Sequence, residues 1–385
     1  MYNQFIKLIL PLPSFFEIDL SPDDEPNIFP VKVAPQIIAC PICQGATVCH
    51  DRYLRRFRYG YAWHIGVLWI ELYVPRQRCK DCNFTFTFDY GLGLLHSSTE
   101  LFRREITNRC HGRSIADVAR EYGLPYTTVE RWFYAYAPDQ LVEENAKHIC
   151  VDEFALRKGH NYATSVLNAE TGRILAIVLH RDQAAIESLL KKVTGTIQTA
   201  VSDFAAAMAG AIKTVLPTAT HVLDRFHLVQ FFTDAQQRRR RYLDEAKKQH
   251  KSRFIDRCLA RKPEELTAEE RGFVQDWLSE DFHTKHIYQA LNHMRYVLKA
   301  TTETQAKTRL KVWLKRYQFH TSGVVSKIAK TVISREKALV DTIISPFSNG
   351  IMEGTNNKIK LIKRRGFGYR NDAHLFLRLR LETGH

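Results

Sequence analysis

No hydrophobic run in this chain is long enough to cross a bilayer. The apolar stretch from Phe5 to Phe16 is broken by Lys7, Pro11 and Pro13, and it lacks the small-residue cleavage pattern of a secretory leader. The stretch from Gly60 to Val74 carries His64 and Glu71 and reads better as strands. Internal repeats and low-complexity tracts are also absent. Negative charge is in short supply: 41 Asp and Glu face 56 Lys and Arg, a formal net charge of +15. That balance points to a polyanionic partner, nucleic acid foremost, while the lack of a spanning run leads to the expectation of no membrane. Cysteine is sparse, at eight residues. Four of these form two Cys-x-x-Cys pairs, which in a reducing compartment favours metal over disulfides. The expected location is therefore cytoplasmic. With 385 residues, 45% of them hydrophobic, the chain is long enough for two or three domains with a sizeable core.

Cys40-Pro-Ile-Cys43 and Cys79-Lys-Asp-Cys82 flank a β-rich stretch. Each pair puts two sulfurs on one tight turn, and two such turns held by strands make a four-thiolate zinc site. Zinc replaces the core that so small a module lacks. Four thiolates leave no open position, so the role is structural. Cys49 and His50 are substitute ligands on paper, though core or surface roles suit them better.

Ser114 to Trp132 follows a helix-turn-helix pattern. Ser114 is the expected N-cap of its first helix, which turns Ile115, Val118 and Ala119 inward. Gly123 permits the turn. Thr127 or Thr128 then caps a second helix with Val129 and Trp132 inward. That leaves Tyr126, Thr127, Glu130 and Arg131 for a major groove.

Beyond residue 147 the pattern becomes α/β. Ile149 to Asp152, Asn161 to Asn168 and Arg173 to Leu179 read as three strands with short connections, the first turning at Arg157 to His160. A helix opened by Asp182, a fourth strand from Ile197 to Val201, a helix from Phe204 and a fifth strand from Thr220 to Leu223 follow. This is the element order of a ribonuclease-H-like fold, in which the first and fourth strands are neighbours. Asp152 and Asp203 would then lie side by side. Adjacent carboxylates repel, and divalent cations remove the penalty. Magnesium, or manganese in its place, accepts such oxygen ligands. Two ions can activate the attacking oxygen and stabilise the leaving oxygen of a phosphodiester. A third acid, Glu353, is expected on a helix capped by Ser348 or Asn349. It shares one face with Asn357 and Lys360, at i, i+4 and i+7. Lys363 and Arg364 extend that basic surface toward DNA. Arg238, Arg239, Arg240 and Arg241 form a run that is either a solvated face or a DNA contact. Thr267 to Glu270 signals a capping box, and Trp277 and Trp313 read as core.

Together these residues resemble the DDE transposases of the ISL-three insertion-sequence family over nearly the whole chain. The resemblance is carried by Leu10-Pro-Leu-Pro13, the cysteine pairs, the helix-turn-helix, Val151 to Gly159, Asp224-Arg-Phe-His227 and Ser348 to Glu353 with its Asn-Lys run. It implies that Asp152, Asp203 and Glu353 hold two divalent ions. It also implies that Asp224 and His227 help to organise DNA or a scissile phosphate. Asp224 remains the rival to Asp203 as the second acid. The implied partners are terminal inverted repeats and target DNA, bound by a homodimer or larger assembly, in a bacterial cytoplasm near the nucleoid.

The expected layout is an N-terminal lead-in (1–35), a zinc module (36–90), a helix-turn-helix domain with linker (91–147), the first part of the catalytic core (148–227), an all-α insertion (228–342) and the last part of the core (343–385). The rival readings are a zinc-ribbon and helix-turn-helix regulator without catalysis, and a ribonuclease-H-like nuclease that cuts without joining.

Overall fold

The computed structural model describes residues 12–13, 16–19, 25–33, 38–87, 90–94, 97–157, 161–247, 253–347 and 350–383. Leu10 and Pro11, most of the Arg157–His160 turn, and the caps Ser348 and Asn349 lie outside them. The chain forms two units, one of Met1–Leu141 with Ile362–Leu381, the other of Val142–Leu361 with Glu382–His385. Among the described residues, no helix is long and apolar enough to cross a membrane.

The first unit begins with a sheet. The short strand β1 (Phe16–Ile18) pairs antiparallel with β2 (Ile28–Val33). A long hairpin follows, β3 (Thr47–Ala62) against β4 (Gly66–Cys79). β4 is central: β2 runs parallel to it, and β5 (Thr85–Thr87) pairs with its far end. Alternation along β4 buries Leu68, Ile70, Leu72 and Val74. Residues 1–35 read as a lead-in from sequence, yet Phe16 and Val31 share this core, so β1 and β2 belong to the sheet.

Three helices follow: α1 (Glu100–Arg109), α2 (Ile115–Glu121) and α3 (Tyr126–Tyr136). They bury Phe102, Ile106, Val118, Val129, Trp132 and Phe133 against one another. The Ser114 Oγ accepts from the Asp117 N–H at 3.1 Å, as a cap should. α2 ends with the Gly123 N–H on the Arg120 carbonyl and the Leu124 N–H on the Ala119 carbonyl. Gly123 takes the left-handed φ of 59° that this terminus needs. The expected cap at Thr127 or Thr128 is corrected. The Pro125 carbonyl already accepts from Thr128 and Val129, so α3 starts at Tyr126 without a side-chain cap.

The last helix, Asp372–Glu382, was expected within the catalytic core. From Asp372 to Leu381 it packs in the first unit instead. Leu381 joins the α1–α3 core, and the His374 ring stacks on Tyr134 with centroids 3.5 Å apart. Arg378, 2% exposed, donates to the Cys110 carbonyl at 2.6 Å and to the Arg113 carbonyl. Its guanidinium also lies 4.6 Å from the Phe133 ring centroid. It thus adds a donor to the Cys110 carbonyl, which also accepts from the Arg113 N–H at 3.2 Å, and bonds the Arg113 carbonyl in the turn after α1. Arg378→Ala should lose both contacts and leave a gap beside Phe133 in the buried core, at a cost of about 3 kcal/mol. Chemical denaturation followed by Trp132 fluorescence measures this, and an unchanged midpoint would disprove the role.

The second unit centres on a mixed sheet in the order β10-β9-β6-β7-β8. β6 (His148–Arg157), β7 (Asn161–Asn168) and β8 (Ile174–Leu179) form an antiparallel meander. β9 (Thr199–Ser202) lies parallel to β6, with Cys150 opposite Val201, and β10 (Thr220–Leu223) lies parallel to β9. The first and fourth strands of the region are therefore neighbours, as the ribonuclease-H-like order requires. α4 (Gln183–Leu190), capped by Asp182, and α5 (Ala206–Val215) supply the crossovers. Ile186, Leu189, Met208 and Ala211 pack on Ile149, Val151 and Ala200.

An all-α segment follows β10. Its helices are α6 (Arg225–Lys247), α7 (Phe254–Ala260), α8 (Ala268–Glu280), α9 (Phe282–Leu298), α10 (Glu303–Tyr317), α11 (Gly323–Ile333) and α12 (Glu336–Ile344). Thr267 and Glu270 form the expected capping box, and Trp277 and Trp313 are buried. α12 returns to β10, where the Leu223 N–H donates to Thr342 Oγ1 at 2.6 Å. Arg225 closes the base of the insertion, donating to the carbonyls of Thr342, Ile343 and Ser345 at 2.6, 3.2 and 3.1 Å. α13 (Gly350–Arg365) comes next.

Candidate functional site

Asp152 sits midway along β6, half-buried. Its Oδ1 accepts from the Glu153 N–H and its Oδ2 from Asn356 Nδ2, each at 2.8 Å. The second contact joins residues 204 apart in sequence and seats α13 against the strand carrying the first acid. Burial pushes the Asp152 carboxyl up, the Asn356 amide and Glu153 N–H pull it down, and the charge of Asp203 adds a further rise. Asp203, just beyond β9, is thus close enough to repel Asp152. Its Oδ1 accepts from the Ala205 N–H at 2.8 Å.

Asp224, just beyond β10, is buried. Its Oδ1 accepts from the Phe226 N–H at 2.9 Å, and its Oδ2 lies 3.6 Å from His227 Nε2. The Cys150 thiol is pushed up to about 12 by burial, and then by the charges of Asp152 and Asp224. A further acid, Glu153, is raised by burial and then partly restored by Arg181, 3.3 Å away. The sequence reading gave Glu153 no role of its own.

Glu353, Asn357 and Lys360 are exposed on α13, as the i, i+4, i+7 reading expects, with Lys360 Nζ 3.5 Å from Asn357 Oδ1. The residue that meets Asp152 is their neighbour Asn356, which the sequence reading missed. Asn356 Oδ1 is buried with no hydrogen-bond partner. The three acids offer only oxygen donors, and the orphaned amide oxygen belongs to the side chain that bonds Asp152, a donor set that suits a hard divalent cation. Asp152, Asp203 and Glu353 do not bring their oxygens within 4.8 Å of one another. Among the described residues, the cysteines alone form a metal-type cluster of that tightness.

In that cluster, Cys40 Sγ lies 3.6 Å from Cys82 Sγ and Cys43 Sγ lies 3.4 Å from Cys79 Sγ. Tetrahedral zinc with bonds of about 2.3 Å spaces its sulfurs at about 3.8 Å. Backbone N–H groups of Ile42 and Asp81 point at Cys40 and Cys79, each at 3.4 Å. The Cys79 thiol is held down at about 7, most strongly by a backbone N–H of Cys82. Gly45 lies where the knuckles meet, and a Cβ there would sit 1.9 Å from the Asp81 carboxylate, which would have to swing aside. Cys49, by contrast, lies outside the cluster and hydrogen-bonds the Asp51 carbonyl at 3.5 Å.

Tyr126, Thr127 and Arg131 are exposed on α3, and Glu130 is half-buried with the Tyr126 hydroxyl 3.4 Å away. Arg364 is exposed and Lys363 half-buried at the end of α13. The arginine run divides. Arg238 and Arg241 are exposed. Arg239 grips Asp281 at 2.8 Å. Burial would raise the Asp281 carboxyl, but Arg239 and Thr284 hold it down at about 2. Arg240 is corrected as a DNA contact: it is buried between Asp244 and Asp256, at 2.6 and 2.8 Å. A mid-helix run of four charges must turn one inward, and two carboxylates neutralise it there.

A family model described as a transposase matches residues 149–379. The chain belongs to transposase family ISL3. The model of that family's helix-turn-helix domain matches residues 96–137, which contain α1–α3. A transposase for insertion sequence element IS1001 from Bordetella parapertussis is 25% identical to this transposase, covering 93% of this chain and 92% of the relative. A transposase for insertion sequence element IS1557 from Mycobacterium tuberculosis is 24% identical, covering 60% and 59%. This ISL3 transposase therefore carries a DNA-binding helix-turn-helix of the family type.

Proposed function

We propose that this transposase binds the terminal inverted repeats of its element, cuts a DNA strand there and joins the freed 3′-hydroxyl to target DNA. The observation that carries the reading is the Asn356–Asp152 contact, which seats the Glu353 helix against β6, the central strand that carries Asp152 beside Asp203. Asp152, Asp203 and Glu353 would hold a pair of divalent ions, magnesium or manganese. Such a pair supplies Lewis acidity toward a phosphodiester. Asn356 fixes the Asp152 carboxylate in one orientation. Asp224 and His227, tied to each other, would steady a phosphate beside the acids, with Asn357 and Lys360 on the outer face of α13. Tyr126, Thr127, Glu130 and Arg131 would read the repeats, while Arg238, Arg241, Lys363 and Arg364 take phosphates. Zinc on the four cysteines would hold the ribbon together, and two copies would pair the two ends.

The test is to incubate full-length protein and magnesium or manganese with a labelled duplex carrying an element end, plus target plasmid. Cleavage and joined products, both lost with EDTA, are expected. End binding without cleavage would leave a regulator, and cleavage without joining would leave a nuclease.

A further inference from the structure

The end of α13 holds an unusual residue. The N–H of Phe367 donates to the Arg364 carbonyl at 3.1 Å and that of Gly368 to the Lys363 carbonyl at 3.4 Å. This two-bond terminus places its pivot in the left-handed region, where glycine is the normal choice. Here the pivot is Phe367, at φ 52°, although Gly366 and Gly368 flank it. Its side chain is 92% exposed, more than that of any other large apolar residue among those described. Both features work against folding: an aromatic side chain strains the left-handed backbone, and its ring gains nothing from burial. Strain retained at an exposed residue points to a partner.

The surroundings specify that partner. Phe367 lines a cavity of about 410 Å³ together with Tyr126 and Glu130 of α3 and with Arg365 and Arg370. The loop is thus set beside the N-terminal end of the helix whose residues face a major groove. It is held firmly: a Cβ on Gly366 would lie 2.6 Å from the Tyr369 ring, so that ring packs directly over the backbone. The Tyr134–His374 stack and the Arg378 contacts fix the following helix to α1–α3. Exposed Arg364 and Arg370 flank the ring on either side in sequence. An apolar tip between cations, next to a recognition helix, has the chemistry of a side chain that enters a groove and unstacks a base step.

We propose that Phe367 is a DNA wedge. When α3 sits in the major groove of an element end, Phe367 enters the neighbouring minor groove and stacks at one base step. Arg364 and Arg370 then rest on the flanking phosphates. The proposal rests on the helix-turn-helix binding duplex DNA, and it adds a second reading element from residues 230 and more positions later in the chain.

The test uses full-length protein and duplexes of the element's own ends, with 2-aminopurine placed in turn at each step beside the α3 footprint. Wild type should raise fluorescence at one step. Phe367→Gly relieves the left-handed strain, so its melting temperature should hold or rise. Its affinity should nevertheless fall roughly 5- to 100-fold, and the fluorescence rise should vanish. Phe367→Trp should keep both. Because Phe367 touches no phosphate, the salt slope should persist in Phe367→Gly and drop by about one in Arg370→Ala. Equal affinity and an intact fluorescence rise in Phe367→Gly would overturn the wedge. So would a change in sedimentation of the DNA-free variant, which would assign the ring to a protein contact. Failure of wild type itself to bind the ends would instead remove the DNA-binding reading, and the wedge with it.

Discussion

Asp152→Asn, Asp203→Asn and Glu353→Gln should each lower strand cleavage by at least roughly 10³-fold while leaving end binding within about twofold of wild type. The amides keep side-chain volume and lose only the charge that would hold a cation, and none of the three acids lies on the α1–α3 module. Gel assays of cleavage and band shifts, run in parallel, measure both halves. Calorimetry with manganese adds a readout independent of turnover: the variants should lose heat of binding along with cleavage. Asp224→Asn is the informative companion. Its carboxylate is buried and takes the Phe226 N–H, so the variant needs a melting curve beside its activity. Normal cleavage by Asp203→Asn, with none by a stably folded Asp224→Asn, would exchange their roles. Normal cleavage by all three primary variants would end the carboxylate assignment. Asn356→Ala should fall between these extremes, since it frees the Asp152 carboxylate without removing it.

Removing metal from the four-cysteine cluster should unfold the ribbon. Structural zinc in small modules contributes about 10 kcal/mol or more of apparent binding energy at neutral pH, and that energy is folding energy. The protein as purified should carry one zinc per chain by elemental analysis. Replacing zinc with cobalt should produce thiolate-to-metal charge-transfer absorption. Cys40→Ser or Cys79→Ser should lose the metal and lower the first melting transition. Cys49→Ser serves as control, since its sulfur stands outside the cluster. A protein that binds neither zinc nor cobalt, and melts the same with chelator, would reduce the cluster to four packed thiols.

Local rules were legible in the sequence and long-range contacts were not. Strand order followed from period-2 runs and short connections, and it correctly placed the strands before Asp152 and Asp203 next to each other. The caps Ser114, Asp182 and Thr267 were readable because each acts on an N–H three residues away. Asn356 was not. It differs from Asn357 by a single step of helix rotation, and only contact with β6, 204 residues back, shows which amide turns inward. The last helix was misassigned for the same reason, because its anchor on Cys110 spans 268 residues. Arg240 looked like its three neighbours until Asp244 and Asp256 were placed around it.

The place of Asn356 and Arg378 after the helical insertion has a consequence for synthesis. A nascent chain that has emerged only to Ser345 already carries α3 and the acids Asp152, Asp203 and Asp224. It has neither Glu353 and Asn356 nor the Arg378 anchor that completes the α1–α3 body. The packing of the α1–α3 body and the Asp152 contact therefore both wait for residues made after the whole helical insertion. A product terminated within the insertion would lack both contacts, and on the proposed reading it would hold element ends weakly and leave DNA uncut.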